Sequence, residues 1–316
     1  MSRCIILPRL QVENANAAAG LTWGFPAITQ FLGYVHALSR KLQQSHGITL
    51  EGCGVICHHH QVHAYNAGGD YQFALTRNPL SKEGKTASIN EEARMHLTVS
   101  LVMKCRGTLA NGDTGLALLA EHLQVLCRQQ RLAGGTVVSM GKVQVRNLAD
   151  EKRVSALFWP LMPGFALVDR SPWLAQHCSA KQALEPQTGM LDAWLDFAAL
   201  KLAPHTGEGI LPEPGAPAEW RYEPKPYAGY LVPLMTGYQR ISPCYAPGDV
   251  ARTRDPATPF CFAEAVYGVG EWCGLHRLHS LDELLWRYHT TETGYYCCGA
   301  QAAIEAEDST YDDDHF

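Results

Sequence analysis

Apolar positions along the chain follow two periods, and the changes between them mark out the elements. Over residues 5–12 the period is two. Ile6, Leu10 and Val12 fall on one face and Ile5, Leu7 and Arg9 on the other, which predicts a strand. Pro8 lies inside that strand and has no N–H to give a ladder, so it predicts an edge or a bulge. From Pro26, which suits a first helical position, the period lengthens to that of a helix. Ile28, Phe31, Leu32, Val35, Leu38 and Leu42 form one stripe, while Gln30, Arg40, Lys41 and Gln43 face water. Residues 54–62 predict a second strand, and Ala67-Gly68-Gly69 a turn. Residues 71–75 predict a short strand that Pro79 terminates. Over residues 96–104, Leu97, Val99, Leu101 and Met103 alternate with His96, Thr98, Ser100 and Lys104 in a clear strand. A turn at Asn111-Gly112 precedes a second helix over residues 115–131, striped by Leu116, Leu119, Leu123 and Leu126. Ala133-Gly134-Gly135 ends it, and residues 136–145 predict another strand.

The order is strand–helix–strand–strand–helix–strand with an insertion in the middle, the ferredoxin-like βαββαβ pattern of an α+β core over residues 1–150. In that pattern the first strand is central, which conflicts with Pro8 unless a bulge intervenes. Residues 151–316 read as a less regular α+β extension, either a second domain or part of the same core. Residues 156–168 predict bent strands, 191–202 a helix, 230–241 strands, and 260–267 and 281–289 short helices. Residues 204–226 hold six prolines and read as a long surface segment, and residues 303–316 as an acidic tail.

Composition narrows the class. The 316 residues are 46% apolar, enough for a substantial core, and no apolar run approaches the ~20 residues of a membrane span. No leader pattern opens the chain, and 11 cysteines scattered without a framework suit a reducing compartment. A soluble, cytoplasmic protein is expected. Net charge is −5, unevenly spread. Residues 1–150 carry 14 Lys and Arg against 9 Asp and Glu, a balance of +5, and residues 151–316 carry 12 against 22, a balance of −10. Phosphate contact is therefore expected from the N-terminal half, and protein contact from the acidic half.

Four constellations carry chemistry. Cys53, Cys57, His58, His59, His60 and His63 resemble a metal cluster. On a strand, however, Cys53 and Cys57 stand ~13 Å apart at ~3.3 Å per residue, too far for one tetrahedral zinc, so no metal is expected. Gly268, Gly270 and Gly274 space as G-x-G-x-x-x-G, one residue too long for a dinucleotide loop, and no cofactor is expected. Arg77, Asn78, Lys82, Lys85, Arg94 and Arg131 form a basic, amide-bearing set in loops next to Tyr71, Phe73, Gly134 and Gly135. Cations, amides and rings together suit single-stranded RNA. Asn14, Asn16, Trp23 and Phe25, in a loop of small residues, suit close approach of a planar polar ligand; more simply, the loop is irregular and its Trp23 and Phe25 plug the core.

Those loop residues also carry a resemblance. LPRL at 7–10, ENANA at 13–17 and LTWGFP at 21–26 resemble the N-terminus of the Cas-five-type subunit of type I-F CRISPR surveillance complexes, the Csy complexes. GVICH at 54–58, LTRNP at 75–79, RLAGG at 131–135, PGFALV at 163–168, YLVP at 230–233, ISP at 241–243 and GVGEW at 268–272 continue it in the same order. The resemblance implies an RNA-recognition-type ferredoxin-like core and a non-catalytic subunit that grips the 5′ handle of the crRNA. It implies pairing with the large subunit at the foot of the complex, contact with the backbone subunit, and target DNA met only indirectly. Arg9, Asn14, Asn16, Trp23, Arg77, Asn78 and Arg131 are then expected to border the RNA. The rival reading is a metal-independent endoribonuclease that processes guide precursor with His36 as general base.

Overall fold

Pro8 interrupts the first strand without ending it. In the computed structural model, which describes residues 3–81, 83–108, 112–147, 154–205 and 218–299, strand β1 runs Arg3–Asn16. A small hairpin follows, β2 (Ala18–Ala19) and β3 (Thr22–Trp23). Helix α1 (Ile28–His46) buries the whole predicted stripe and starts two residues beyond Pro26. Gly47 closes it in the left-handed conformation (φ 65°), its N–H donating to the Gln43 carbonyl. Strand β4 (Thr49–Val62) leads into a separate three-stranded sheet, the arm, made of β5 (Ala64–Asn66), β6 (Tyr71–Arg77) and β7 (Ile89–Glu92). Then come β8 (Arg94–Arg106), α2 (Gly112–Arg128), β9 (Arg131–Leu132), β10 (Gly135–Ser139) and β11 (Gln144–Asn147).

The remaining elements are α3 (Val154–Phe158), β12 (Phe165–Asp169), α4 (Ser171–Leu184), α5 (Met190–Ala198), β13 (Leu202–His205), β14 (Glu219–Tyr222), β15 (Leu231–Arg240), β16 (Ala263–Gly274), β17 (Trp286–Thr290) and β18 (Gly294–Gly299). Three expectations fail here. Residues 156–168 begin as helix and a 3-10 turn, whose Phe158 and Leu161 bury against Leu275 and Leu284, and only Phe165–Asp169 is strand. The short helices expected over 260–267 and 281–289 are instead the start of β16 and most of β17. Both runs are short, where apolar period alone does not separate helix from strand. Pairing decides: β16 is bonded on both edges, to β12 and to β15. Gly270 allows that closeness, since a Cβ there would lie 2.4 Å from Leu234 Cδ1. Most of the proline-rich segment, the 150 boundary and the acidic tail lie outside the described residues.

Eleven of the strands form one large sheet in a strand-rich α/β fold, apart from the arm and the two-stranded pairs β2–β3 and β13–β14. Its order includes β4–β8–β1–β10, all antiparallel. The free edge of β4 is shared by β17, at Cys53, and β12, at Ile56 and Cys57. From there β12–β16–β15–β18–β17 runs back to β4, a closed circuit of hydrogen-bonded strands. The main core spans both halves: Leu7, Phe31 and Leu101 share a cluster with Leu167, Leu234, Trp286 and Cys297.

Within that sheet β1 is central, and the proline is absorbed by a bulge. The β1–β8 register shifts between Leu7 and Leu10, and Arg9 takes φ 48°. On its other edge β1 pairs with β11 over residues 3–6 and with β10 over residues 11–13, so Pro8 falls in the gap. There its carbonyl accepts the Gly141 N–H at 2.8 Å. The bulge also reverses parity. Ile5, Leu7, Leu10 and Val12 share the main core, and Cys4 and Ile6 face the second cluster, so Ile6 does not join Leu10 and Val12 as strict alternation predicts.

Candidate nucleic-acid interface

The end of β1 meets the start of β8 and the β9–β10 turn. Asn14 has φ 55°, a conformation asparagine tolerates because its short polar side chain bonds locally. Its N–H donates to His96 Nδ1 at 3.3 Å, and its carbonyl accepts from Arg94 Nη1 at 3.4 Å. Asn16 pairs with Arg94 across the strands and donates its N–H to the Ala133 carbonyl at 2.8 Å. Arg131 Nη1 reaches the Gly134 carbonyl at 3.5 Å. The turn runs through left-handed Ala133 (φ 51°) and Gly134 (φ 76°). Gly135 has a different reason to be glycine: a Cβ there would stand 2.6 Å from the Glu13 carbonyl oxygen. Six predicted site residues, Asn14, Asn16, Arg94, Arg131, Gly134 and Gly135, therefore converge at one end of the sheet.

Electrostatics there are partly compensated. Arg94 pairs with Glu92 at 2.7 Å, and its hydrogen bonds hold the Glu92 carboxyl below its usual range. His63 donates its N–H to the Arg94 carbonyl at 2.8 Å, and its ring stands 4.3 Å from that of His96. Partial burial, with His96 adding to it, lowers the His63 pKa. His63 stood out in the sequence only as a metal candidate and His96 only as a strand position. Neither carried a periodic signal that would place it beside Arg94.

The aromatic residues border this place. Trp23 is half exposed, with its ring 5.2 Å from Tyr71 and 5.4 Å from Phe73, both on β6. Phe25 turns inward instead, stacked on Phe31 at 5.6 Å and edge-on to Trp272 at 4.8 Å. Trp23 and Phe25 line a cleft of about 890 Å³ together with Trp194, Tyr230 and Trp272. Among the described residues no Lys, Arg, Asp or Glu lines it, although His58, His59 and His60 do, and its rings suit planar or apolar groups.

Other predicted residues lie apart. Arg77 ends β6 and Asn78 follows it, while Lys85 is exposed beyond them. Lys82 lies outside the described residues. Arg9 sits at the bulge, roughly 16 Å back from Asn14 at ~3.3 Å per residue. Its N–H donates to Ser100 Oγ at 2.9 Å and its guanidinium to the Met162 carbonyl at 3.2 Å. His58 Nδ1 is 2.8 Å from the Pro163 carbonyl and Nε2 is 2.7 Å from Ser100 Oγ. A carbonyl only accepts, so Nδ1 carries the proton and Nε2 accepts from the Ser100 hydroxyl. Ser100 is wholly buried, so the pair ties β1, β4 and β8 to the turn before β12 and offers no reachable nucleophile.

Among the metal candidates, Cys53 and Cys57 are buried; desolvation raises both thiols, Cys57 to about 11. Among the described residues no group of three or more His, Cys, Asp and Glu is arranged to hold a metal ion. His36 Nδ1 is 3.0 Å from the Tyr288 hydroxyl, and the two rings pack edge to face at 5.8 Å. Among the described residues no helix is long and apolar enough to cross a membrane.

Comparison with known proteins shows what the chain as a whole resembles. Residues 5–298 match the family model described as CRISPR-associated protein (Cas_Csy2). The chain is 37% identical over 300 residues to CRISPR-associated protein Csy2 of Pseudomonas aeruginosa strain UCBPP-PA14, covering 90% of this chain and 91% of that protein.

Proposed function

The chain belongs to the Csy2 family of type I-F CRISPR-associated proteins, and on that premise we propose that it is a non-catalytic subunit of a Csy complex that grips the 5′ handle of the crRNA. The observation that carries the proposal is the convergence of Asn14, Asn16, Arg94 and Arg131 beside the half-exposed Trp23 and Tyr71. Arginines pair phosphate, amides read base edges, and exposed rings stack unpaired bases. The left-handed turn at Ala133 and Gly134 brings the chain around without adding bulk between these groups. We read β1–α1–β4–β8–α2–β10 as a ferredoxin-like core, because its sheet order β4–β8–β1–β10 is that of a split βαβ pair.

The same reading assigns the cap position of a Cas-five-type subunit, pairing with the large subunit, touching the backbone subunit and meeting target DNA only through the complex, in the cytoplasm. The charge balance supports it: the +5 half contains the converging cluster, and the −10 half is left for protein contact. The Tyr288 hydroxyl stands 3.0 Å from His36 Nδ1, a contact that supports a packing role for the imidazole over the general-base role of the rival reading. The test is co-expression with the large subunit and a guide RNA, followed by size-exclusion chromatography. A complex of the three that retains handle RNA is expected, with no cutting of repeat RNA with or without Mg²⁺. Cutting that disappears in His36→Ala, or migration as a lone monomer, overturns the proposal.

A further inference from the structure

Two of the more accessible thiols of this chain, Cys244 and Cys261, stand next to the two residues of one isolated bridge. Between β15 and β16 the chain makes an excursion that returns on itself at a single antiparallel bridge, Tyr245 to Phe260. The bridge is of the hydrogen-bonded kind: Tyr245 N–H donates to the Phe260 carbonyl at 2.7 Å, and Phe260 N–H to the Tyr245 carbonyl at 3.1 Å. In an antiparallel ladder the next pair outward is non-hydrogen-bonded, with Cα atoms about 4.5 Å apart and side chains on one face. That next pair is Cys244 and Cys261. The rings confirm the parity, since Phe260 and Tyr245 both pack against Phe262, at 5.1 and 6.2 Å, which leaves Cys261 and Cys244 on the opposite face. Pro243 has no N–H, so the ladder slips beyond the pair: the next bonds run from Ile241 N–H to the Phe262 carbonyl and from Phe262 N–H to Ser242 Oγ, both at 2.9 Å. A Cα separation of about 4.5 Å falls inside the range that a disulfide spans, ~4.4–6.8 Å.

Exposure separates this pair from the other cysteines. Cys244 is exposed and Cys261 partly so, whereas Cys4, Cys53, Cys57, Cys105, Cys127, Cys178, Cys273 and Cys297 are buried, and burial raises the partly covered Cys298 to about 11. We propose that Cys244 and Cys261 are a redox-responsive dithiol that closes to an intramolecular disulfide with a disulfide oxidant of the glutathione class. In the first step the Cys244 thiolate attacks glutathione disulfide, forming a mixed disulfide and expelling one glutathione thiolate. In the second the Cys261 thiolate attacks the Cys244 sulfur and expels the second glutathione. The two thiol protons pass to the leaving thiolates, so two protein thiols and one glutathione disulfide become one protein disulfide and two glutathiones. The bond rings residues 244–261 and ties off a loop whose far side carries the exposed Arg252 and Arg254.

The test uses the full chain, folded and reduced, exposed to glutathione disulfide and quenched by alkylation. Mass spectrometry is expected to show the loss of two hydrogens and a peptide linking Cys244 to Cys261, with the buried cysteines released as free thiols on unfolding. Trypsin nicking at Arg252 or Arg254 is expected to leave the oxidised chain in one piece until reductant is added. Cys244→Ser and Cys261→Ser are each expected to retain a single glutathione adduct in place of the link. Two stable adducts on the unmutated chain, or chains joined to one another through Cys244, overturn the proposal.

Discussion

The ring of Trp23 lies 5.2 Å from that of Tyr71, tilted by 53°, and this contact joins the loop after β1 to the arm. The two residues are distant in sequence, and their rings are half exposed where they meet. Trp23 also lines the aromatic cleft, so one side chain borders both the arm and a surface suited to planar groups. Trp23→Ala is expected to weaken handle binding by about 1–3 kcal/mol, the scale of one stacked base. It should also speed hydrogen exchange in β6, measured on the isolated chain. Unchanged affinity with faster exchange would restrict Trp23 to a structural role.

Arg131 presents its guanidinium at the β9–β10 turn with one weak bond to a carbonyl. Arg131→Ala is expected to lower handle affinity and to flatten the dependence of log affinity on log salt by about 0.7, the share of one single-strand phosphate. Fluorescence anisotropy across a salt series measures both. The melting temperature should hardly move, because an exposed side chain adds little to stability.

His58 links stability to pH. Burial, with the Arg9 charge adding to it, holds the folded-state pKa below the ordinary 6.5, although the Pro163 carbonyl pulls the other way. The unfolded chain therefore takes up the proton first. Stability is fully present above about pH 6.5 and falls as pH drops from there toward the lower folded value. His58→Gln is expected to be less stable at neutral pH, through loss of the Ser100 and Pro163 bonds, yet to show a shallower decline between pH 7 and 5. Thermal melts at stepped pH read both, and an equally steep decline in the variant would remove His58 as the cause.

Glu271 is completely buried between Arg170, at 2.6 Å, and Arg277, at 3.1 Å. Glu271→Ala leaves the two arginines, 24% and 54% exposed, without their shared carboxylate and is expected to cost about 1.5–3 kcal/mol, the scale of a hydrogen bond to a charged group. Denaturant unfolding measures it. A cost under about 1 kcal/mol would mean that water replaces the carboxylate, as at an exposed pair.

The long amphipathic elements were legible because period and length agreed. The stripe of α1 from Ile28 to Leu42 is buried in full, and Leu97, Val99, Leu101 and Met103 face the main core as alternation predicted. What failed was set by pairing between distant segments. Nothing near Ala263 announces that β12 and β15 will flank it, so a short mixed run resembled a helix. The parity of β1 failed because a bulge adds a residue that no two-residue pattern registers. At the candidate interface, the residue types were readable but not their neighbours. Arg94 and Asn16 are joined only by register, Phe25 turns inward onto Phe31, and Arg9 is held at the bulge by Ser100.

The central claim is that RNA lies against the end of β1, and ultraviolet crosslinking tests it most directly. The chain, co-purified with the large subunit and a guide RNA carrying photoreactive bases in its 5′ handle, is irradiated, digested and sequenced by mass spectrometry. Crosslinks are expected on peptides containing Trp23, Tyr71 and residues 131–135, and they should be lost when Arg94 and Arg131 are both replaced by alanine. Handle crosslinks that fall only on the large subunit, or that map to the acidic C-terminal half of this chain, would contradict the account.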